Sequence, residues 1–122
     1  MTSVIGRGWA TVELERAEAE PRDRERVGAF EDAGRCSWLG ARCRRSRVGA
    51  LWIVVLEPET EGRLAAFLAR HGEGWAVTWS MGHAEGPDLE PRPGPLGPET
   101  FPLGQAPSGP FRLVVTTATI GP

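Results

Sequence analysis

Apolar and polar positions alternate in several short runs of the chain, which is the pattern of strands with a buried face. The first run predicts a strand over residues 4–14, where Val, Ile, Trp and Thr recur. Further runs predict strands over residues 39–48, 51–57, 75–81 and 111–120. A helical segment lies among these strands.

Gly49 and Ala50 separate two of these runs, and glycine at the first central position suits a type II′ hairpin turn. Opposed residues of a hairpin share one face of the sheet. Counting outward from the turn pairs Val48 with Leu51, Arg47 with Trp52, Arg45 with Val54 and Cys43 with Leu56. The last three pairs therefore belong to one face.

The spacing after this hairpin predicts a short helix. Thr60 is a good N-cap, and Gly72 is a natural helix end. An apolar stripe with the spacing i, i+3, i+4 and i+7 is formed by Leu64, Phe67, Leu68 and His71. His71 has two interpretations: a catalytic imidazole, or a structural residue whose cationic form the helix dipole favours.

Two segments lack such periodicity. Residues 13–32 carry eight acids and four arginines, which predicts a solvated helix or loop face. In residues 82–110, 14 of 29 positions are Gly or Pro. That content is incompatible with a long regular helix and predicts a loop that wraps the surface or acts as a lid.

Length and charge exclude several classes of protein. The 122 residues predict a single domain, and a net charge of −2 disfavours nucleic-acid binding. The longest uncharged apolar run is far shorter than the roughly 20 residues of a membrane span. Residues 1–20 contain no apolar signal segment, so we expect a cytoplasmic protein with no membrane partner. Cys36 and Cys43 are too few for a disulfide framework or, alone, a zinc site.

The segment IVVLEPETEGRLAAFLARHGEG, residues 53–74, resembles the middle of methylmalonyl-CoA epimerases and related glyoxalase-like proteins. VELERA, residues 12–17, resembles the junction where their first strand enters the first helix. The resemblance to this vicinal oxygen chelate superfamily implies an α+β fold of βαβββ modules whose curved mixed sheet surrounds a cavity. Residues 1–81 would form the first module, the linker helix and the next strand. The second module would be abbreviated to the 82–110 loop and the closing strand at 111–120.

The resemblance also implies where a metal ion would be held. Metal-dependent members place one ligand on each of four strands, and these positions fall at or near Gly6, Val54, Val77 and Leu113. None of these side chains can ligate a metal. We therefore expect neither a metal ion nor another cofactor, and a metal-dependent epimerase is the least favoured interpretation.

The predicted face that contains these positions is apolar and aromatic. It offers Trp52, Val54, Leu56, Trp75, Val77, Trp79, Phe111 and Leu113 as candidate substrate-binding residues, with Gly6, Gly8 and Ala10 adding space. Such a wall fits a flat apolar or aromatic small molecule. The alternative is that the same residues form an ordinary core.

Arg45 and His83 are the candidate catalytic residues. Arg45 would stabilise an oxyanion beside the apolar wall, and His83 would move a proton near neutral pH; Glu13 and Glu57 are other proton-transfer candidates. The hypothesis is a metal-independent protein, expected to be a homodimer, that cyclises, dehydrates or isomerises a polyketide-type metabolite in natural-product biosynthesis. The alternative is a protein that sequesters such a molecule unchanged, as in antibiotic resistance.

Overall fold

The computed structural model describes residues 3–14, 29–59, 62–82, 90–102, 104–106 and 109–116. Their regular elements, in chain order, are β1 (Ser3–Ala10), β2 (Glu31–Cys36), β3 (Ala41–Val48), β4 (Leu51–Pro58), α1 (Arg63–His71), β5 (Gly74–Gly82), β6 (Glu99–Thr100) and β7 (Phe111–Thr116). The strands form one mixed sheet of the order β2-β3-β4-β1-β5-β7-β6. None of the described helices is long and apolar enough to cross a membrane.

The predicted hairpin is confirmed with its register. β3 and β4 pair antiparallel, and the observed partners include Arg47 with Trp52 and Arg45 with Val54. Gly49 has φ 60°, a backbone conformation that side chains with a Cβ rarely adopt. The turn therefore sets the pairing, and the period of two sets which side chains share a face.

Strand β1 lies at the centre of the sheet and joins its two halves. It pairs parallel with β4 and antiparallel with β5, and β5 pairs parallel with β7. The two parallel pairs cannot be joined by tight turns and need longer connections. Helix α1 lies on the connection between β4 and β5, which flank β1 and run in opposite directions. The half that contains β5 is the shorter one among the described residues, because β6 has only two residues.

Two strands lie where the sequence pattern predicts none. β2 falls partly inside the charged run at 13–32 that is predicted as a helix or loop face. Its carboxylates lie opposite arginines of β3, Glu31 opposite Arg45 and Asp32 opposite Arg44. Opposite charges across the two strands favour their pairing. The strand therefore lacks the alternation of apolar and polar residues from which strands are predicted. β6 lies inside the Pro/Gly-rich segment, where its two residues pair with β7.

Helix α1 confirms the predicted helix but begins later. It runs from Arg63 to His71 with Gly62 at the N-cap, while the predicted cap Thr60 lies outside the described residues. Gly72 ends the helix at φ 77°, and its N–H donates to the carbonyl of Leu68 at 2.9 Å. His71 is exposed at this end, with its ring centroid 4.8 Å from that of Phe67.

The sheet separates two apolar clusters. The larger contains buried residues of β3, β4, β5 and β7 together with Leu64 and Phe67 of α1. The smaller, on the other face, is formed by Leu14, Phe30, Ile53 and Val55. β4 contributes to both, which explains why its sequence is apolar on both faces.

Candidate functional site

The predicted substrate-binding wall is the centre of the larger cluster. Six of its eight residues are at most 4% exposed: Val54, Leu56, Val77, Trp79, Phe111 and Leu113. They pack against one another and against Phe101 and Val115. In this conformation their side chains contact protein atoms rather than an open chamber.

The glycines of β1 leave space that other side chains of this chain occupy. A Cβ added at Gly8 would lie 2.7 Å from Cζ3 of Trp79, and one at Gly6 would lie 2.6 Å from Cδ1 of Leu96. From the sequence, Gly6 and Gly8 are predicted to add space to a ligand cavity. The structure instead shows that they let an indole ring and a leucine approach the backbone.

Trp75 does not share the face of Trp79, so its predicted placement is wrong. Strand β5 has an irregularity where Gly8 pairs with Val77 but Trp9 pairs with Trp75. The extra residue reverses the alternation. Trp75 therefore packs edge-on against Trp9 on the other face, at a centroid distance of 5.2 Å.

Glu99 is a buried carboxyl inside the larger cluster, and the sequence analysis does not identify it. It is 0% exposed. Its Oε2 accepts a hydrogen bond from Sγ of Cys36 at 3.0 Å, and its Oε1 accepts one from the indole N–H of Trp79 at 2.9 Å. Both donors are neutral, and no cation among the described residues offsets the carboxylate charge. Burial therefore raises the pKa of Glu99 to about 7, and the two hydrogen bonds oppose that rise.

A proline-rich strap, residues 91–98, covers this carboxyl. A Cβ added at Gly94 would overlap Oε1 of Glu99, so only glycine fits there. The carbonyl of Pro93 accepts a hydrogen bond from the N–H of Ser37 at 3.2 Å. The guanidinium of Arg92 lies 3.9 Å from the ring centroid of Trp38, whose indole N–H donates to the backbone carbonyl of Glu99.

Arg45 of β3 contacts the same strap at Pro95. Its Nη1 donates to the carbonyl of Pro95 at 2.7 Å, and its Nε donates to Oε1 of Glu31 at 2.9 Å. Its guanidinium also lies 4.5 Å from the ring centroid of the half-buried Trp52, and that of Arg47 lies 4.6 Å from the same ring. Arg45 and Glu99 thus contact the adjacent residues Pro95 and Gly94, whereas His83 lies outside the described residues.

A second groove of about 470 Å³ is lined mainly by residues of β2 and β3, and neither Glu99 nor the strap belongs to its lining. Charged residues line it, but several are paired within the chain: Arg35 lies 2.5 Å from Glu59, and Arg42 lies 2.6 Å from Glu57. The Arg42 guanidinium lowers the pKa of the Glu57 carboxyl. These pairs favour a solvated structural surface over a reactive site.

No protein family and no curated protein matches the sequence. Solved structures do match. A Streptomyces coelicolor methylmalonyl-CoA epimerase variant in complex with 2-nitronate-propionyl-CoA is 22% identical, with a TM-score of 0.70 over 97% of this chain and 99% of that one. The Mycobacterium tuberculosis methylmalonyl-CoA epimerase is 15% identical, with a TM-score of 0.69 over 93% and 87%.

A hypothetical protein of Bacillus halodurans C-125 has a TM-score of 0.72 at 15% identity, over 95% of this chain and 94% of that one. The likeness thus spans both halves of the sheet. The chain has the glyoxalase-like fold. This confirms the α+β, βαβββ architecture that the sequence resemblance implies, and several of the solved structures that match it are methylmalonyl-CoA epimerases.

The metal ion that many glyoxalase-like proteins hold does not fit the residues present. The four positions that the resemblance indicates are Gly6, Val54, Val77 and Leu113, which carry no ligand atoms in their side chains. Among the described residues, no three His, Cys, Asp or Glu side chains are grouped so that they could hold a metal. Among the polar side chains that the structure describes near this face, Glu99 and Arg45 both contact the strap at residues 91–98.

Glu99 is not predicted from the sequence because it lies in the Pro/Gly-rich segment, where apolar and polar residues show no periodicity. The only local signal is that Thr100 and Phe101, both residue types that favour strands, follow it within the Pro/Gly-rich segment. Its partners Cys36 and Trp79 are 63 and 20 residues away along the chain. Only the tertiary structure brings the three together.

Proposed function

We propose that this protein acts on an apolar, aromatic or polyketide-type small molecule by metal-independent acid–base chemistry, through cyclisation, dehydration or isomerisation. The observation that carries the proposal is Glu99, a carboxyl that is fully buried beside an apolar sheet face and accepts hydrogen bonds from two neutral donors. Burial raises its pKa to about 7. A carboxyl of this pKa is present in both protonation states near neutral pH. It can therefore accept and return a proton without a metal.

We assign the stabilisation of negative charge to Arg45. Its guanidinium already binds a carbonyl oxygen, that of Pro95, and would bind a developing oxyanion in the same way. The indole of Trp52 beside it and the apolar wall around Trp79 would orient a flat substrate. His83 remains a second candidate for proton transfer. The neighbouring epimerase structures include one in complex with 2-nitronate-propionyl-CoA and one in complex with methylmalonyl-CoA and NH4+, and we propose a small-molecule ligand here on the same fold.

Turnover with a panel of aromatic and polyketide-type compounds tests the proposal. Mass spectrometry detects dehydration as loss of water, and chromatography detects cyclisation or isomerisation at unchanged mass. We expect Glu99→Gln to slow turnover by about 100-fold or more, the usual contribution of general acid–base catalysis. Gly74→Ala is the matched control, because a Cβ at Gly74 meets nothing within 4 Å. Full turnover by Glu99→Gln, or loss of turnover after treatment with a chelator, would contradict the mechanism.

The second candidate function is sequestration of the ligand without conversion. It is favoured by the fact that both oxygens of Glu99 already accept hydrogen bonds from the protein, which suits a structural carboxyl. Tight binding with complete recovery of the unaltered compound would establish this function. The proposed homodimer is tested separately by sedimentation.

A further inference from the structure

The dipeptide Gly94–Pro95 is held between two polar side chains from different parts of the sheet. Glu99 of β6 lies against Gly94, so closely that a Cβ there would overlap Oε1. Arg45 of β3 donates to the carbonyl of Pro95 at 2.7 Å. A carboxyl and a guanidinium that face one short stretch of backbone are the kind of pair that fixes a small polar ligand.

The strap that carries this dipeptide has few backbone hydrogen bonds. Four of its eight residues are prolines, which lack an N–H: Pro91, Pro93, Pro95 and Pro98. Its described backbone bonds are two between Arg92 and Glu99, one within the strap, and one from Ser37. Weakly bonded surface segments of this kind open at lower free energy than the strands beneath them.

Leu96 is the strap residue that packs against the central strand β1. Its Cδ1 lies against Gly6 of β1, so close that a Cβ at Gly6 would be 2.6 Å away. Gly6 is the first-strand position where the resemblance expects a metal ligand in other glyoxalase-like proteins. The strap therefore extends along this face of the sheet, from Glu99 of β6 to Gly6 of β1.

We propose that Glu99 and Arg45 form the polar part of a ligand-binding site that the strap's own Gly94–Pro95 dipeptide occupies in this conformation. The ligand is a small molecule with an N–H or O–H group for Glu99 and a carbonyl or carboxylate oxygen for Arg45. It displaces the strap when it binds. This inference rests on the proposed function for the identity of the site, but the occupied state is testable without any substrate.

Two observations distinguish this arrangement from an ordinary packed loop. Glu99 is buried with neutral donors only, and a buried carboxyl that needs no ligand is ordinarily paired with a cation. The carbonyl of Pro95 receives a charge-assisted hydrogen bond from Arg45, although a neutral carbonyl does not need a charged donor. Both groups therefore have more bonding capacity than the strap uses.

The first experiment measures how well the strap seals the site. Cys36 is buried beneath it and donates to Glu99, so its alkylation by iodoacetamide reports opening when Cys43 is replaced by Ala. In that background, Gly94→Ala should expel the strap and raise the alkylation rate by about tenfold or more, as a change of ~1.4 kcal/mol in opening would. Gly74→Ala is the control and should leave the rate unchanged. Equal rates in the two variants would overturn the proposal.

A second pair of variants covers the case in which Gly94→Ala does not fold. Arg45→Ala removes the other anchor of the strap, whereas Arg47→Ala removes a guanidinium that stacks on the same indole, Trp52. We expect faster alkylation of Cys36 in Arg45→Ala than in Arg47→Ala. If neither variant exceeds the unsubstituted protein, the strap does not seal the site and the proposal fails.

The binding part is tested with acetyl-glycyl-proline amide, which reproduces the displaced dipeptide. Its binding is followed by the NMR signal of the Trp79 indole N–H, which donates to Glu99. We expect the signal to shift in Gly94→Ala and not in Gly94→Ala combined with Arg45→Ala. An opened site that gives no shift would refute ligand binding by Glu99 and Arg45. Binding without turnover of any compound would instead refute only the proposed catalysis.

Discussion

The indole ring of Trp79 lies directly over the backbone of Gly8, where a Cβ would come within 2.7 Å of Cζ3. This approach lets a fully buried tryptophan turn its N–H toward Glu99. The hydrogen bond to the Glu99 carboxyl thus depends on the absence of a side chain at Gly8, on the central strand of the sheet.

Gly8→Ala should destabilise the protein by about 1–3 kcal/mol, because the added methyl group overlaps both Trp79 and Leu56 in a packed core. Urea unfolding followed by tryptophan fluorescence measures the difference. Gly74→Ala provides the comparison, since its Cβ would meet open space, and it should change stability by no more than about 0.5 kcal/mol. Equal effects of the two substitutions would show that the contact with Trp79 is not tight.

The stability of the protein should fall as pH rises from about 4.5 to about 7, because of Glu99. Its pKa is raised in the folded state, so the folded protein binds the proton more tightly than the unfolded chain does. The contribution is therefore complete below about pH 4.5, falls as pH rises toward the folded-state pKa of about 7, and is absent above it. Its size is on the order of 3 kcal/mol, from ~1.4 kcal/mol per pKa unit.

Glu99→Gln isolates this effect, because other groups titrate in the same interval in both proteins. The difference in unfolding free energy between the two proteins should change with pH across the interval and be flat above about pH 7.5. Urea titrations at several pH values give the difference directly. A difference that does not vary with pH would mean that Glu99 has an ordinary pKa.

Trp79→Phe should cost about 2 kcal/mol or more, because it removes the indole N–H that Oε1 of Glu99 accepts and leaves a buried acceptor with one partner fewer. It should also raise the pKa of Glu99 further, since that hydrogen bond opposes the effect of burial. Trp75→Phe, on the other face of the sheet, serves as the control. It should not alter the pH dependence of stability, and a similar change in both variants would contradict the assignment.

Arg45→Ala should destabilise the protein more than Arg47→Ala, by about 1–2 kcal/mol. Arg45 bonds both to Glu31 of β2 and to the carbonyl of Pro95, so its loss frees two separate segments. Arg47 is exposed and stacks on Trp52, so its loss should lie within about 0.5 kcal/mol. Thermal unfolding of the two variants side by side decides between these expectations.

Local sequence determined the hairpin and the helix end. The Gly49–Ala50 turn and the period of two fixed the pairing of Arg45 with Val54, because a shift by one residue would reverse every face of β4. The short motif around the helix predicted the glyoxalase-like fold, which the solved structures confirm. These features depend on neighbours in the chain, and a single sequence contains that information.

The tertiary structure alone decided the site. Trp75 lies on the face opposite to the predicted one, because one extra residue in β5 reverses the alternation of side chains between the two faces. No local sequence pattern marks such an irregularity. Glu99 gained its perturbed pKa only when the fold buried it beside Cys36 and Trp79. Burial and long-range hydrogen bonds depend on which distant segments meet, so the chemistry of this carboxyl is a property of the packed sheet and not of the residues around it in the sequence.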